Sequence, residues 1–246
     1  MQLSNGPEAG ELVPDEREIY EAMLPLDGAR VLELGCGTAV HTRAIAESGR
    51  PAEIVACEVD EIQQRANMAG PPLRGVSFRF GGAEAIDEPD ASFDIVLMFK
   101  SLHHVPGESL ERALDEIHRV LRPGGLLYVS EPVFAGTFNE ILRLFHDEEA
   151  VRRNAFEGLR RSVEAGRFEL VEERFLRVPV RFADFAQFDA AVLQVTHTRH
   201  ELSPELRRTV RERFEAHLGS EGACFSQPLR VDLLRRPERT AAPAGG

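Results

Sequence analysis

A chain of 246 residues with 43% hydrophobic and 28% charged residues has enough apolar side chain for one large α/β domain, and disorder is not its default. Its 41 acidic against 29 basic residues give a net charge of −12, which argues against the broad basic face that nucleic-acid binding draws on. No apolar run approaches the roughly 20 residues that span a bilayer, residues 1–10 lack the basic and apolar regions of a secretion signal, and Cys36, Cys57 and Cys224 make neither a disulfide framework nor a zinc ligand set.

Reduced thiols, and hence a cytoplasmic protein, are expected. Residues 15–24 read as a short helix with Asp15 as its cap. A short strand follows at 31–34, then the turn Gly35-Cys36-Gly37, then helical spacing over 38–47 that Gly49 ends. The pattern repeats with a strand at 53–57, a helix at 60–68 and a strand at 76–80. Residues 93–99, FDIVLMF, form a continuous apolar run of the type buried on both faces of a parallel sheet. Residues 109–121 place Leu110, Leu114, Ile117, Val120 and Leu121 at helical spacing; Arg122-Pro123-Gly124-Gly125 breaks that helix, and 126–130 is a fifth strand. Alternation of this kind predicts right-handed βαβ units on a mostly parallel sheet.

Beyond residue 132 the texture changes, and residues 134–225 hold 11 of the 15 phenylalanines. Helices are expected over 138–161 and 204–218, a strand over 168–179, a shared helical face at Phe182, Phe185 and Phe188, and an edge strand at 229–234. The whole predicts a doubly wound, Rossmann-like, seven-stranded α/β fold with a helical insertion. It is expected to form one domain over 1–236, with a cofactor core at 28–132, an insertion at 134–225 and a flexible tail at 237–246.

The segment most telling of function is VLELGCGTAVHTRAIAE, residues 31–47. Glycines let the backbone turn sharply and admit a ligand where a Cβ would intrude, and in open α/β sheets ligands sit at such strand ends. A dinucleotide site asks for G-x-G-x-x-G, but Val40 stands at the third position. Glu33, two residues before Gly35, would repel a phosphate by roughly 3 kcal/mol at about 5 Å. A phosphate-free ligand with an amino group and a sulfonium suits it. Glu58, 23 positions after Gly35, sits where a carboxylate accepts ribose hydroxyls, with Asp60 as the fallback if the strand end is shifted.

The run E-L-G-C-G-T-A resembles the first motif of class I S-adenosylmethionine-dependent methyltransferases, E/D-x-G-x-G-x-G, with Ala39 in place of the third glycine. FRFGGAEAI resembles the segment that reads adenine in that family, with Gly82 standing where relatives carry Asp. ASFDIVLMFKSLHHVP and RVLRPGGLLYVSEP resemble the fourth and fifth strands of the ubiquinone/menaquinone-biosynthesis, or type 11, group. The resemblance spans about residues 28–132. It implies S-adenosyl-L-methionine as cofactor, held by Glu33, Gly35, Cys36, Gly37, Thr38, Glu58, Val59, Gly82, Ala83, Glu84 and Lys100, with Glu84 or a water standing in for the absent Asp.

Methyl transfer from a sulfonium is an in-line displacement in which alignment does much of the work. A base is needed only if the acceptor loses a proton. His104, just past the fourth core strand, is the candidate for base or hydrogen-bond partner, against a structural role capping its loop. Tyr20, His103 and Glu131 are candidate substrate contacts, with packing or surface roles as their alternatives. His197 and His200 near Glu201 lack a third positioned ligand, so no metal is expected. The expected partner is a small molecule acting as methyl acceptor through C, N or O, with no membrane and no nucleic acid; a homodimer is compatible with this. The competing readings are a catalytically silent S-adenosylmethionine-binding sensor on the same fold and a nicotinamide-dependent oxidoreductase.

Overall fold

The computed structural model describes residues 1–4, 6, 10–195 and 202–238. In chain order it contains β1 (Glu11–Leu12), α1 (Arg17–Met23), β2 (Arg30–Leu34), α2 (Val40–Glu47), β3 (Glu53–Glu58), α3 (Glu61–Ala69), β4 (Val76–Phe80), β5 (Phe93–Phe99), α4 (Leu110–Val120) and β6 (Leu121–Pro132). Then come α5 (Thr137–Leu142), α6 (Glu149–Glu164), β7 (Glu169–Phe182), α7 (Phe185–Phe188), α8 (Pro204–Glu215), β8 (Leu218–Gly219) and β9 (Gly222–Arg235). The expected alternation through residue 130 is present, with element ends shifted by a few residues. His197, His200 and Glu201, and residues 239–246 of the expected tail, lie outside the described residues.

All strands join one sheet in the order β1-β7-β9-β6-β5-β2-β3-β4, with β8 added on β9. Strands β2 to β6 run parallel to their neighbours, and β9 runs antiparallel to both β6 and β7. Seven strands are long, as expected; β1 and β8 are two-residue additions. Strand order reverses between β2 and β5, so a crevice opens at their carboxyl ends, where α/β sheets bind ligands. Apolar layers cover both faces. One packs α4 and α6 on the sheet through Leu114, Ile117 and Leu159; the other packs Tyr20, Leu26 and Ile45 against Val31, Ile95 and Tyr128. Among the described residues no helix is long and apolar enough to cross a membrane.

Four sequence expectations are corrected. The run 138–161 is two helices, α5 ending at Leu142 and α6 starting at Glu149, where Asp147 Oδ1 accepts from Glu149 N at 3.1 Å. The RPGG run starts β6 rather than preceding it, and the β5–β6 register shifts between Phe93↔Leu121 and Ile95↔Leu126 to absorb it. Strand β9 is central, not an edge: its polar alternation comes from Arg230 and Asp232, which pair at 2.7 Å while both are buried. Phe182 closes β7 instead of sharing a helix with Phe185 and Phe188.

Those three phenylalanines still pack together. Phe182–Phe188 and Phe185–Phe188 centroids are 5.4 and 5.7 Å apart, inside a cluster with Phe138, Phe214 and Phe225. The insertion therefore carries its own apolar core, mounted on the β7–β9 end of the sheet.

Candidate active site

The glycine turn is anchored from three sides. Gly35 N and Cys36 N both donate to Cys57 O, at 2.9 and 3.0 Å. Gly37 N donates to Glu58 Oε2 at 2.7 Å, and Gly37 O accepts from Asn67 Nδ2 at 2.8 Å. Gly35 has φ +72°, and a Cβ there would lie 2.6 Å from Ser101 Cβ. Ser101 in turn donates its hydroxyl to Leu34 O at 2.7 Å, tying the loop after β5 to the turn. At Gly37 a Cβ would meet nothing within 4 Å, so this side of the turn faces open space. Thr38 is exposed beside it, whereas Cys36 is buried, and burial first of all pushes its thiol far up, so it stays protonated.

Glu58 ends β3, so the fallback to Asp60 is not required. Its Oε1 accepts from Val59 N and Asp60 N at 2.8 and 2.9 Å. Asp60 caps α3 through Ile62 N and Gln63 N. Glu33 lies beneath the turn rather than in its mouth. It is 1% exposed and accepts from Thr42 Oγ1 at 2.5 Å. Burial, with the Glu58 charge adding, raises its carboxyl to about 7. Phe80, the register partner of Glu58 at the end of β4, is exposed, and so is Val59 just past the end of β3. A Cβ on Gly82 would lie 2.5 and 2.8 Å from the carboxylate oxygens of Glu84, so that carboxylate stands where a residue-82 side chain would start. Ala83 is buried beside it.

Lys100, expected among the cofactor's contacts, is paired with Glu16. Its Nζ binds Glu16 Oε2 at 3.0 Å, and Tyr128 donates its hydroxyl to Glu16 Oε1 at 3.4 Å. Tyr20 is fully buried, which corrects its assignment as a substrate contact; burial pushes its hydroxyl far up. Its ring meets His41 and Phe99 at 5.9 and 5.4 Å, and His41 stacks on Phe99 at 4.0 Å. Burial lowers His41 below the ordinary histidine range, so it packs as a neutral ring. With Lys100 replaced by Gln, Glu16 keeps its burial and loses its cation. Because the lysine side chain is 34% exposed, a loss of about 1–3 kcal/mol is expected, less than for a fully buried pair. A urea midpoint equal to wild type would reject this.

Across the crevice, at the ends of β5 and β6, His103 is buried between two carboxylates. Its Nδ1 meets Glu131 Oε2, and its Nε2 lies 3.5 Å from Glu148 Oε1. Burial alone would lower His103, but the two carboxylates hold it up to about 9. Burial pushes Glu131 and Glu148 upward, and His103 outweighs it, holding both below the usual carboxylate range. Glu131 also accepts from Leu102 N at 2.9 Å, so it supports the loop. It lines a cavity of about 100 Å³ with Pro132, Phe134, Arg152 and Arg230. His104 is exposed, its ring 4.1 Å from that of His103. Glu16, His41, Ser101, Asn67, His146, Glu148 and Arg152 were not legible as site residues. Their partners lie in other elements, and only the i,i+4 spacing of Glu148 and Arg152 hinted at a pair.

Residues 32–129 match the family described as "Methyltransferase domain". A ubiquinone biosynthesis O-methyltransferase of Rhizobium rhizogenes is 34% identical over 111 residues, covering 43% of this chain and 42% of that protein. A ubiquinone/menaquinone biosynthesis C-methyltransferase of Hydrogenovibrio crunogenus is 35% identical over 109 residues, covering 42% of each. The chain thus spans less than half the length of these two relatives. The crystal structure of a SAM-dependent methyltransferase from Methanosarcina mazei superposes with a TM-score of 0.56 at 17% identity, over 93% of this chain and 100% of that one, which establishes likeness of fold.

Proposed function

We propose that this chain, which carries a class I S-adenosylmethionine-dependent methyltransferase domain, transfers a methyl group from that cofactor to a small-molecule acceptor. The observation that carries the reading is the pairing of Glu58 with the glycine turn. A carboxylate stands at the end of β3 against Gly37 N, beside a face of the turn that is open. Three features fit the cofactor. The acidic strand end suits ribose hydroxyls. The exposed Phe80 and Val59 offer apolar surface to a base. The carboxylate of Glu84, lying over Gly82, supplies an acceptor for an exocyclic amino group in place of the absent Asp.

The bound cofactor supplies a methyl group on a positively charged sulfur. The chain's own residues hold, orient and shield. Gly35 and Gly37 admit the ligand's close approach, Glu58 fixes its sugar, and the Lys100–Glu16 pair fixes α1 beside the crevice. Glu33 stays beneath the turn as a buried support. His104 stands on the acceptor side as hydrogen-bond partner or proton acceptor, with His103 and Glu131 behind it. The names of the relatives include O- and C-methyltransferases acting in quinone biosynthesis, and a small acceptor attacking through oxygen or carbon follows that pattern.

Calorimetric titration with S-adenosylhomocysteine tests this. Saturable one-site binding is expected, with Glu58→Ala weakening it about 10- to 100-fold, the worth of one or two charge-assisted hydrogen bonds. No heat of binding in the wild type would end the reading, and equal affinity in the variant would remove Glu58 from it.

A further inference from the structure

Four side chains meet over the ends of β5 and β6, where the insertion touches the sheet, and the cofactor crevice uses none of them. His103 and His104 close the short turn Leu102–His104; His146 and Glu148 come from the connection between α5 and α6. Ligand atoms of His103, His104 and Glu148 all lie within 4.8 Å of one another. Two imidazoles converge on Glu148 Oε1, His146 Nε2 at 2.8 Å and His103 Nε2 at 3.5 Å. The second oxygen, Oε2, is taken by Arg152 at 2.5 Å, which fixes the carboxylate with Oε1 toward the histidines.

These separations can be set against metal geometry. Two ligands each about 2.1 Å from one ion stand about 3.0 Å apart at right angles and about 3.4 Å apart in a tetrahedron. The observed 3.5 Å between His103 Nε2 and Glu148 Oε1 is close to the tetrahedral value. Behind His103, Glu131 holds Nδ1, and Leu102 N holds Glu131 at 2.9 Å. A carboxylate behind an imidazole is how proteins orient metal-bound histidine and raise its basicity. Two carboxylates, Glu131 and Glu148, face a dication's charge, with Arg152 offsetting part of theirs.

We infer that His103, His104 and Glu148 form a binding site for a divalent ion of the zinc class, with His146 holding the Glu148 carboxylate beside it. Two imidazole nitrogens and one carboxylate oxygen suit Zn²⁺, Co²⁺ or Ni²⁺ better than Mg²⁺ or Ca²⁺, which prefer oxygen. His104 is exposed and His146 half-buried, so the ion's outer positions open to solvent on the side assigned to the acceptor. An acceptor oxygen coordinated there would be held in place, and a hydroxyl would lose its proton to water more readily, His104 then serving as ligand in place of the proton-acceptor role it has without the ion. Metal binding belongs to these side chains whether or not the methyl-transfer reading holds, and it is measurable without cofactor or acceptor.

Cobalt(II) chloride is the probe, titrated into metal-stripped full-length protein and read by visible absorption, since Co²⁺ in a low-coordinate nitrogen–oxygen site is coloured. One equivalent bound is expected, displaced by Zn²⁺. His104→Ala, at a ligand, is expected to weaken it at least tenfold, and His146→Ala, which releases the Glu148 carboxylate, to weaken it several-fold, while circular dichroism stays unchanged in both. Should either variant lose its fold, His104→Gln and His146→Gln replace them. No stoichiometric Co²⁺ spectrum, or affinity unchanged in either variant, would overturn the site and leave a hydrogen-bonded ionic network. Because cofactor affinity is measured separately, failure here and failure of the methyl-transfer reading are distinct results.

Discussion

Replacing Gly35 with alanine is expected to destabilise the protein by about 3–5 kcal/mol and to abolish cofactor binding. The backbone there has φ +72°, where an L-residue costs about 1–2 kcal/mol. The added methyl would sit 2.6 Å from Ser101 Cβ and 3.2 Å from its Oγ. Ser101 cannot swing aside cheaply, because its hydroxyl holds Leu34 O. The loop after β5 must move, and with it the wall of the crevice. Against a typical total of about 5–15 kcal/mol such a loss is severe. Thermal unfolding and calorimetry with S-adenosylhomocysteine check it. A variant within about 1 kcal/mol of wild type would mean that the turn and loop are not locked as described.

Replacing Glu33 with glutamine is expected to stabilise the protein at pH 8 and to leave it nearly unchanged near pH 5. The folded carboxyl titrates at about 7 against an ordinary value of 4.5, mainly because it is buried. The folded state therefore binds the proton more tightly than the unfolded one. That contribution is full below about pH 4.5 and is lost as pH rises through about 7. Its size is on the order of 3 kcal/mol, reduced by about 1 kcal/mol because a buried amide leaves an N–H to satisfy. Asp232, raised by burial to about 6, slopes in the same direction and remains in the variant. Urea unfolding at pH 5 and pH 8 gives the comparison. A variant less stable than wild type at pH 8 would show that Glu33 is ionised and paired in the folded state.

The half of the chain before residue 132 was legible because its signals are local. Apolar strand runs alternate with amphipathic helices, and Gly35 and Gly37 mark the turn between them. Glu58 was legible because a carboxylate ending the second parallel strand falls beside that turn by topology alone. Glu33 was misplaced because sequence proximity to the glycines does not say which way a strand side chain points, and here it points to Thr42. Lys100 and Glu16 are 84 positions apart, and nothing local pairs them. The meeting of His103 with His146 and Glu148 escaped for the same reason, hidden further by the break between α5 and α6. In β9 the edge-strand reading of the alternation fails: Arg230 and Asp232 look like a solvent face because such residues are seldom buried, and they are buried as a pair.

The middle position of β9 has a consequence for how the protein is made. Among the described residues, β7 pairs with β9 and the two-residue β1, and β9 separates it from β6. Until residues 222–235 emerge from the ribosome, both β6 and β7 wait with open backbone edges, and the phenylalanine cluster of the insertion waits without Phe225. Such edges recruit other chains. Synthesis slowed or stopped before β9 should therefore yield aggregates rather than a smaller folded body, and growth conditions that hold the nascent chain soluble should raise the yield.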